Sequence, residues 1–132
     1  MTTTTTGIQA INLVMVPTVD QDRSIEFYER LGFEKRTDVP FGGDYRWVEV
    51  YPPTGTAGLA LAPPRPGEAV QAKELGVSLT TADADAAHAE LRSLGIDVDE
   101  EVSKMGDPVP PMFWLRDPEG HSLMVVQTPG AV

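Results

Sequence analysis

Few residues of this chain could do chemistry. Its 132 residues include two histidines and no cysteine, which excludes disulfide frameworks, thiolate zinc sites, iron–sulfur clusters and cysteine nucleophiles. His88 falls in the middle of a predicted helix, and His121 directly follows a predicted tight turn. Because a metal site needs several ligands together, we interpret both histidines as structural. The acidic run 99–101 is interpreted as a solvated loop segment.

The aromatic residues favour binding over catalysis. Trp47 and Trp114 lie in alternating apolar runs, and Glu49 is a single acid among aromatic neighbours. Aromatic rings contact flat ligands over a large apolar area, and methionine side chains adapt to irregular shapes. A small-molecule pocket typically combines such walls with a few placed polar groups. We therefore expect these residues to line a binding site.

The composition argues against nucleic-acid-binding and membrane-spanning proteins. The chain carries 20 acidic against 10 basic residues, a formal net charge of −10, whereas a nucleic-acid-binding protein needs a basic surface. No apolar run reaches the roughly 20 residues that span a bilayer. We expect a soluble cytoplasmic protein with one domain over 8–128. A disordered threonine-rich tail is expected over 1–7, and a short tail over 129–132.

The elements that would position these residues occur twice. Segment 20–33 runs from Asp20 to a Leu-Gly-Phe ending, and segment 83–96 runs from Asp83 to a Leu-Gly-Ile ending. Each segment predicts a helix, because aspartate caps the free N–H groups at a helix start. Glycine adopts the left-handed conformation that ends a helix. The sequence therefore predicts a duplicated structural unit.

Apolar runs predict strands around each helix, because their side chains alternate as in a half-buried sheet. These runs are 11–16, 46–51 and 58–62 in the first half, and 77–81, 112–115 and 122–127 in the second. Prolines within 63–74 predict a linker. The expected fold class is therefore α+β, with two tandem βαβββ modules over 8–62 and 75–128.

The repeated segments carry a resemblance to a known family. They include Val-Pro-Thr-Val-Asp at 16–20, Asp-Arg-Ser at 22–24, Phe-Tyr at 27–28, Leu-Gly-Phe at 31–33, the helix 83–94 and Arg-Asp-Pro-Glu-Gly-His at 116–121. On these motifs the chain resembles the vicinal oxygen chelate superfamily, which holds glyoxalase I, extradiol dioxygenases and bleomycin-resistance proteins. It is most similar to the metal-free bleomycin-resistance-like binding proteins. The resemblance implies an open cup-shaped mixed sheet, helices on its convex face, and a homodimer.

The resemblance also locates the metal positions of the family's enzymes. Four strand positions, two in each module, hold the ion there, and their equivalents are Leu13, Ala60, Gly76 and Met124. None of these offers a carboxylate or an imidazole, and a lone thioether suits only soft metals. The resemblance therefore implies no metal site, no cofactor and no catalytic residue in this chain.

Strand alternation divides the side chains between two faces. The set predicted to pack on the helices is Val14, Val16, Val48, Val50, Leu59, Leu61, Val77, Leu79, Leu123 and Val125. The opposite parity faces the cup. The predicted ligand-binding residues there are Leu13, Met15, Tyr45, Trp47, Glu49, Ala60, Gly76, Met112, Trp114, Ser122 and Met124.

The lead hypothesis is a metal-independent small-molecule binding protein. It would sequester an aromatic or polycyclic antibiotic-like ligand in a cleft at the dimer interface. The alternative is a diverged glyoxalase- or dioxygenase-like metalloenzyme, or a metal-free lyase or isomerase with Glu49 or His121 as base. A third possibility is a small-molecule sensor. The sequence leaves open whether one chain forms the cup or two chains exchange modules.

Overall fold

The computed structural model describes residues 6–40, 43, 45–64, 67, 69 and 74–128. Residues 1–5 of the predicted first tail and the whole predicted tail 129–132 lie outside the described residues. Positions 65, 66, 68 and 70–73 of the predicted linker lie outside them as well.

Module one forms a four-stranded mixed sheet with one helix. Its elements are β1 (Leu13–Pro17), α1 (Gln21–Arg30), β2 (Glu34–Pro40), β3 (Arg46–Tyr51) and β4 (Gly58–Ala62). The strand order is β1-β4-β3-β2, in which β1 runs parallel to β4 and the other pairs are antiparallel. We call this sheet one. One edge of β1 has no strand beside it within the described residues.

Module two repeats this plan with one difference. Its elements are β5 (Glu74–Thr81), α2 (Ala84–Ser93), β6 (Met112–Arg116) and β7 (Ser122–Gln127), and the order in sheet two is β5-β7-β6. The position that β2 holds in module one is taken by two isolated bridges, Val98 with Leu115 and Ser103 with Met112. The fold is therefore α+β as predicted, with two small mixed sheets.

The backbone pairing beside β6 is interrupted at Asp99. Its carboxylate Oδ2 accepts the backbone N–H of Trp114 at 3.0 Å, and its Oδ1 accepts from Arg116 Nη2 at 2.7 Å. The Asp99 side chain therefore accepts a backbone N–H of β6 that a carbonyl oxygen of a neighbouring strand would otherwise accept. The acidic run 99–101, predicted as a plain solvated loop, therefore includes a residue that fixes β6.

The two helices are capped as their sequences predict. Asp20 and Asp83 accept the backbone N–H three residues ahead, each at 3.0 Å. Gly32 and Gly95 follow the helix ends at φ +100° and φ +77°, a region that side chains with a Cβ rarely adopt. Both helices have 10 residues, about half the length needed to cross a bilayer.

The core lies between the helices and the strand faces predicted to contact them. The buried members of that set are Val16, Val48, Val50, Leu59, Leu61, Leu123 and Val125. Val14, Val77 and Leu79 are partly buried and pack against the same core. Burial of one such side chain contributes roughly 1.5–3 kcal/mol. The predicted strand faces are therefore confirmed on the helix side of both sheets.

The modules meet at residues 117–121, between β6 and β7, which we call the junction turn. The Tyr28 hydroxyl of α1 donates to Asp117 Oδ2 at 2.9 Å, and both residues are buried. Asp117 Oδ1 accepts the backbone N–H groups of Glu119 and His121, each at 2.9 Å. Burial, and then the adjacent Asp117 carboxylate, raise the pKa of the Tyr28 hydroxyl, because a phenolate there would be desolvated beside another negative charge.

The rest of the junction turn binds the backbone of module one. The Glu119 carboxylate accepts the N–H groups of Val19 and Asp20 at 3.1 and 3.3 Å, where α1 begins. His121 has no exposed surface, and its Nε2 contacts the carbonyl oxygen of Pro17 at 2.8 Å. His121 therefore fastens one module to the other.

Candidate ligand-binding site

The face of sheet one opposite α1, which we call open face one, carries the first group of predicted binding residues. The register places Met15 beside Ala60 and Ala60 beside Glu49, in one row across three strands. Met15 is 54% exposed, whereas Ala60 is fully buried under its neighbours. Leu13 and Trp47 are half-buried, and Tyr45, just before β3, is exposed.

Glu49 is held by two neutral donors on this face. Trp47 Nε1 donates to Glu49 Oε2 and the Tyr51 hydroxyl donates to Glu49 Oε1, both at 2.7 Å. All three residues lie on one strand at alternate positions, so the pleat brings their side chains to the same side. The hydrogen bond to Glu49 raises the pKa of the Tyr51 hydroxyl, because a phenolate would lose that bond and face a carboxylate.

The Tyr51 ring is fixed from two sides. A Cβ added to Gly58 would lie 2.7 Å from a carbon of that ring, so the ring covers the glycine. The guanidinium carbon of Arg36 stands 4.5 Å from the ring centroid, a cation–π contact. Arg36 is the extra residue of a β-bulge between Lys35 and Thr37, and a bulge re-aims a side chain.

Substitution of Gly58 by alanine is expected to destabilise the fold by about 1–3 kcal/mol, the usual cost of overpacking. The new methyl group would displace the Tyr51 ring and its hydrogen bond to Glu49. Urea unfolding of the purified variant measures the change. In a Tyr51→Ala background the ring is gone, so the same substitution should then cost little. Equal costs in the two backgrounds would show that the ring is not the obstacle.

The equivalent face of sheet two, open face two, carries the second group. Trp114 pairs with Met124, and Met124 pairs with Ser78, in one row across the sheet. In the adjoining rows Met112 pairs with Val126, and Ser122 pairs with Arg116. Gly76 lies at φ +71° in an irregular stretch of β5 between Glu74 and Ser78.

The predicted binding residues therefore fall on two sheets within one chain. Within the parts described, no strand of sheet one is hydrogen bonded to a strand of sheet two. A cavity of about 550 Å³ lies between the modules. Its walls come from the end of α1, the β3–β4 turn, α2 and the three strands of sheet two, and they include Leu31, Pro53 and Leu91. None of the predicted ligand-binding residues lines it.

The four positions equivalent to metal ligands separate in the same way. Leu13 and Ala60 belong to sheet one, and Gly76 and Met124 to sheet two. Their side chains supply no nitrogen or oxygen donor, so they do not fit a divalent cation. Over the described ranges, no group of three or more His, Cys, Asp or Glu side chains could hold a metal ion.

Neither histidine reaches an open face. His88 Nε2 contacts the carbonyl oxygen of Asp99 at 2.6 Å, and its ring stands edge-on to Phe113 at 5.1 Å. His121 is enclosed in the junction between the modules. His121 is therefore unsuited to the role of base on a substrate, which the sequence had left open, because the substrate could not reach it.

Tyr51, Arg116 and Arg36 lie at the open faces but were missing from the predicted binding set. Strand alternation puts Tyr51 on the cup side with Glu49, but the predicted binding set did not include it. Arg116 continues β6 by one residue beyond the predicted strand, and it pairs with Asp99 at 2.7 Å. Arg36 reaches Tyr51 from the bulge in β2, a strand that the apolar runs did not locate because it is mostly charged.

Comparison with known proteins agrees with this architecture. The sequence model of the Glyoxalase/Bleomycin resistance protein/Dioxygenase superfamily matches residues 10–125. The Bacillus subtilis (strain 168) protein YurT, described as uncharacterized, is 34% identical over 119 residues, which cover 82% of this chain and 91% of that protein.

Two solved structures share the fold along nearly the whole chain. TnmS3, an antibiotic binding protein from Streptomyces sp. CB03234, has a TM-score of 0.77 and 29% identity, covering 94% of this chain and 98% of its own. A superfamily member from Sphaerobacter thermophilus DSM 20745 has a TM-score of 0.81 and 27% identity, covering 92% and 98%. This chain belongs to the Glyoxalase/Bleomycin resistance protein/Dioxygenase superfamily.

Proposed function

We propose that this protein is a metal-independent binding protein that sequesters an aromatic or polycyclic antibiotic-like molecule without chemical turnover. The observation that carries the proposal is the Trp47–Glu49–Tyr51 arrangement on open face one, where both donors already fix the carboxylate before a ligand arrives. Preorganised polar groups beside aromatic walls are typical of small-molecule sites. The similarity to TnmS3 supports an antibiotic as the class of ligand.

The proposed site requires a second copy of the chain. Open face one and open face two lie on separate sheets, and β1 has an unpaired edge in the described structure. Ile8 and Ile11, just before β1, are 75% and 73% exposed. Exposed apolar residues beside an open strand edge favour association. The proposed homodimer places open face one of one protomer opposite open face two of its partner, with the ligand between them.

Protection by sequestration demands tight binding, because each protein dimer removes only as many ligands as it has sites. A dissociation constant of 1 nM corresponds to about −12 kcal/mol. The net charge of −10 would favour the approach of cationic molecules. We propose the cytoplasm as the place of binding, where the ligand would be withheld from an intracellular target.

Titration of tryptophan fluorescence with a panel of anthracyclines, acridines and anthracenes tests the proposal. We expect saturable quenching by at least one compound class, an unchanged dissociation constant after treatment with EDTA, and recovery of the ligand unaltered by mass spectrometry. Light scattering should give the mass of a dimer. Failure of every compound to bind, or recovery of a chemically altered ligand, would contradict the proposal.

The enzyme alternative predicts different results in the same experiment. A metalloenzyme would lose activity in EDTA and contain one metal equivalent per chain by elemental analysis. A metal-free lyase or isomerase would use Glu49 as base, but both oxygens of that carboxylate already accept hydrogen bonds at 2.7 Å. A substrate proton would therefore have to be taken up at the acceptor position that each oxygen has left, and the ligand would be recovered chemically altered.

A further inference from the structure

We infer that Glu49 is the anchor for a protonated amine, so that the site selects cationic aromatic ligands over neutral ligands of the same shape. The inference rests on the proposed function and adds the chemical class of the ligand. It is carried by the geometry and the charge around one carboxylate on open face one.

The first argument is the unused acceptor capacity of Glu49. Each oxygen of an ionised carboxylate can accept about two hydrogen bonds, and each oxygen here accepts one, from Trp47 or from Tyr51. Both donors are neutral, so they fix the carboxylate without neutralising it. One acceptor position on each oxygen remains for a ligand, and an ammonium group can donate to both.

The second argument is the absence of a compensating cation in the described part of the chain. None of the ion pairs there includes Glu49. Arg36 stacks on the Tyr51 ring and pairs with Glu34 at 3.0 Å. Arg46 is engaged by Asp22 and Asp38. A cationic donor adds Coulombic attraction to the hydrogen bond that any donor could make, so it gains most from this half-buried carboxylate.

The third argument is the small size of the side chain beside the carboxylate. Glu49 pairs with Ala60 on the neighbouring strand, and the residue before that on the same face is Gly58, which is covered by the Tyr51 ring. A methyl group is thus all that stands directly beside Glu49 on β4. The Trp47 indole lies on the same face as Glu49, so we expect it to contact the aromatic part of a ligand whose ammonium group binds the carboxylate.

A matched pair of probes tests the inference: aminomethylanthracene, a cation at neutral pH, and anthracenemethanol, its neutral counterpart. Fluorescence anisotropy of the anthracene ring reports binding of each to the purified protein. We expect the amine to bind about tenfold more tightly than the alcohol to the native protein. In Glu49→Gln the affinities of the amine and the alcohol should converge to within about twofold.

Glu26→Gln is the matched control, because it removes the same charge from an exposed position on α1. It should keep the preference for the amine. Equal affinities of the two probes for the native protein would overturn the inference and leave the proposed function standing. A preference that survives Glu49→Gln, or that is lost equally in Glu26→Gln, would also overturn it. Binding of neither probe to the native protein would count against the inference and the proposed function together.

Discussion

A mixed dimer of one Trp47→Ala protomer and one Trp114→Ala protomer is expected to bind ligand about 30-fold more tightly than either variant does as a homodimer. The reason is the separation of the two tryptophans on different sheets. If each site joins open face one of one chain to open face two of its partner, the mixed dimer keeps one site with both tryptophans. Truncation of a central aromatic anchor typically removes 2 kcal/mol or more of binding free energy, about 30-fold in affinity.

The two protomers can be co-expressed with different affinity tags, and binding is measured by anisotropy of the anthracene probes. The control is a dimer of one native protomer and one protomer that carries both substitutions. If two chains contribute to each site, this control dimer has no intact site. If one chain forms each site by itself, the control dimer has one intact site. If the control dimer binds the probe and the first mixed dimer does not, each chain forms its own site.

Asp117→Ala is expected to destabilise the fold by about 3–5 kcal/mol, the largest loss among single substitutions that we consider. Its carboxylate accepts three hydrogen bonds, from the Tyr28 hydroxyl and from two backbone N–H groups. Asp117 and Tyr28 are 5% and 0% exposed, so water cannot replace the lost acceptor. Equilibrium unfolding in urea measures the loss.

Two variants separate this effect from the loss of a charge. Tyr28→Phe removes only one of the three bonds and should cost about 1–2 kcal/mol. Asp85→Ala removes an aspartate whose side chain is 62% exposed and pairs with Lys104, and it should cost less than about 1 kcal/mol. A stability of Asp117→Ala within 1 kcal/mol of the native protein would mean that the junction turn does not hold the modules together.

Much of the fold could be predicted because its signals are local. An aspartate before each helix and a glycine after it act through bonds within a few residues, so segments 20–33 and 83–96 were identified without tertiary information. The bounds of β3, β4 and β7 agree with the predicted runs for the same reason. Less was predictable where long-range partners decide, as at Asp99, whose side chain replaces part of a strand.

The sequence predicted which residues lie on the two open faces, but it did not predict which of their side chains contact one another. Alternation puts Trp47, Glu49 and Tyr51 on one side of β3, yet it carries no information about which side chains bond to one another. The contact of Tyr51 with Gly58 depends on the pairing of β3 with β4. The position of Arg36 depends on a bulge, and one extra residue in a strand leaves no period in the sequence to reveal it.

The amino-acid sequence by itself determined the duplicated modules, the capped helices, the side of each strand that packs into the core, and the oxygen- and nitrogen-free side chains at positions 13, 60, 76 and 124. Tertiary structure decided that the two tryptophans stand on separate sheets, that His121 is enclosed between modules, and that Glu49 is held by two donors. The difference between these two sets of features has a physical cause. Caps and alternation follow from backbone geometry over a few residues, whereas the meeting of distant segments depends on how whole surfaces pack.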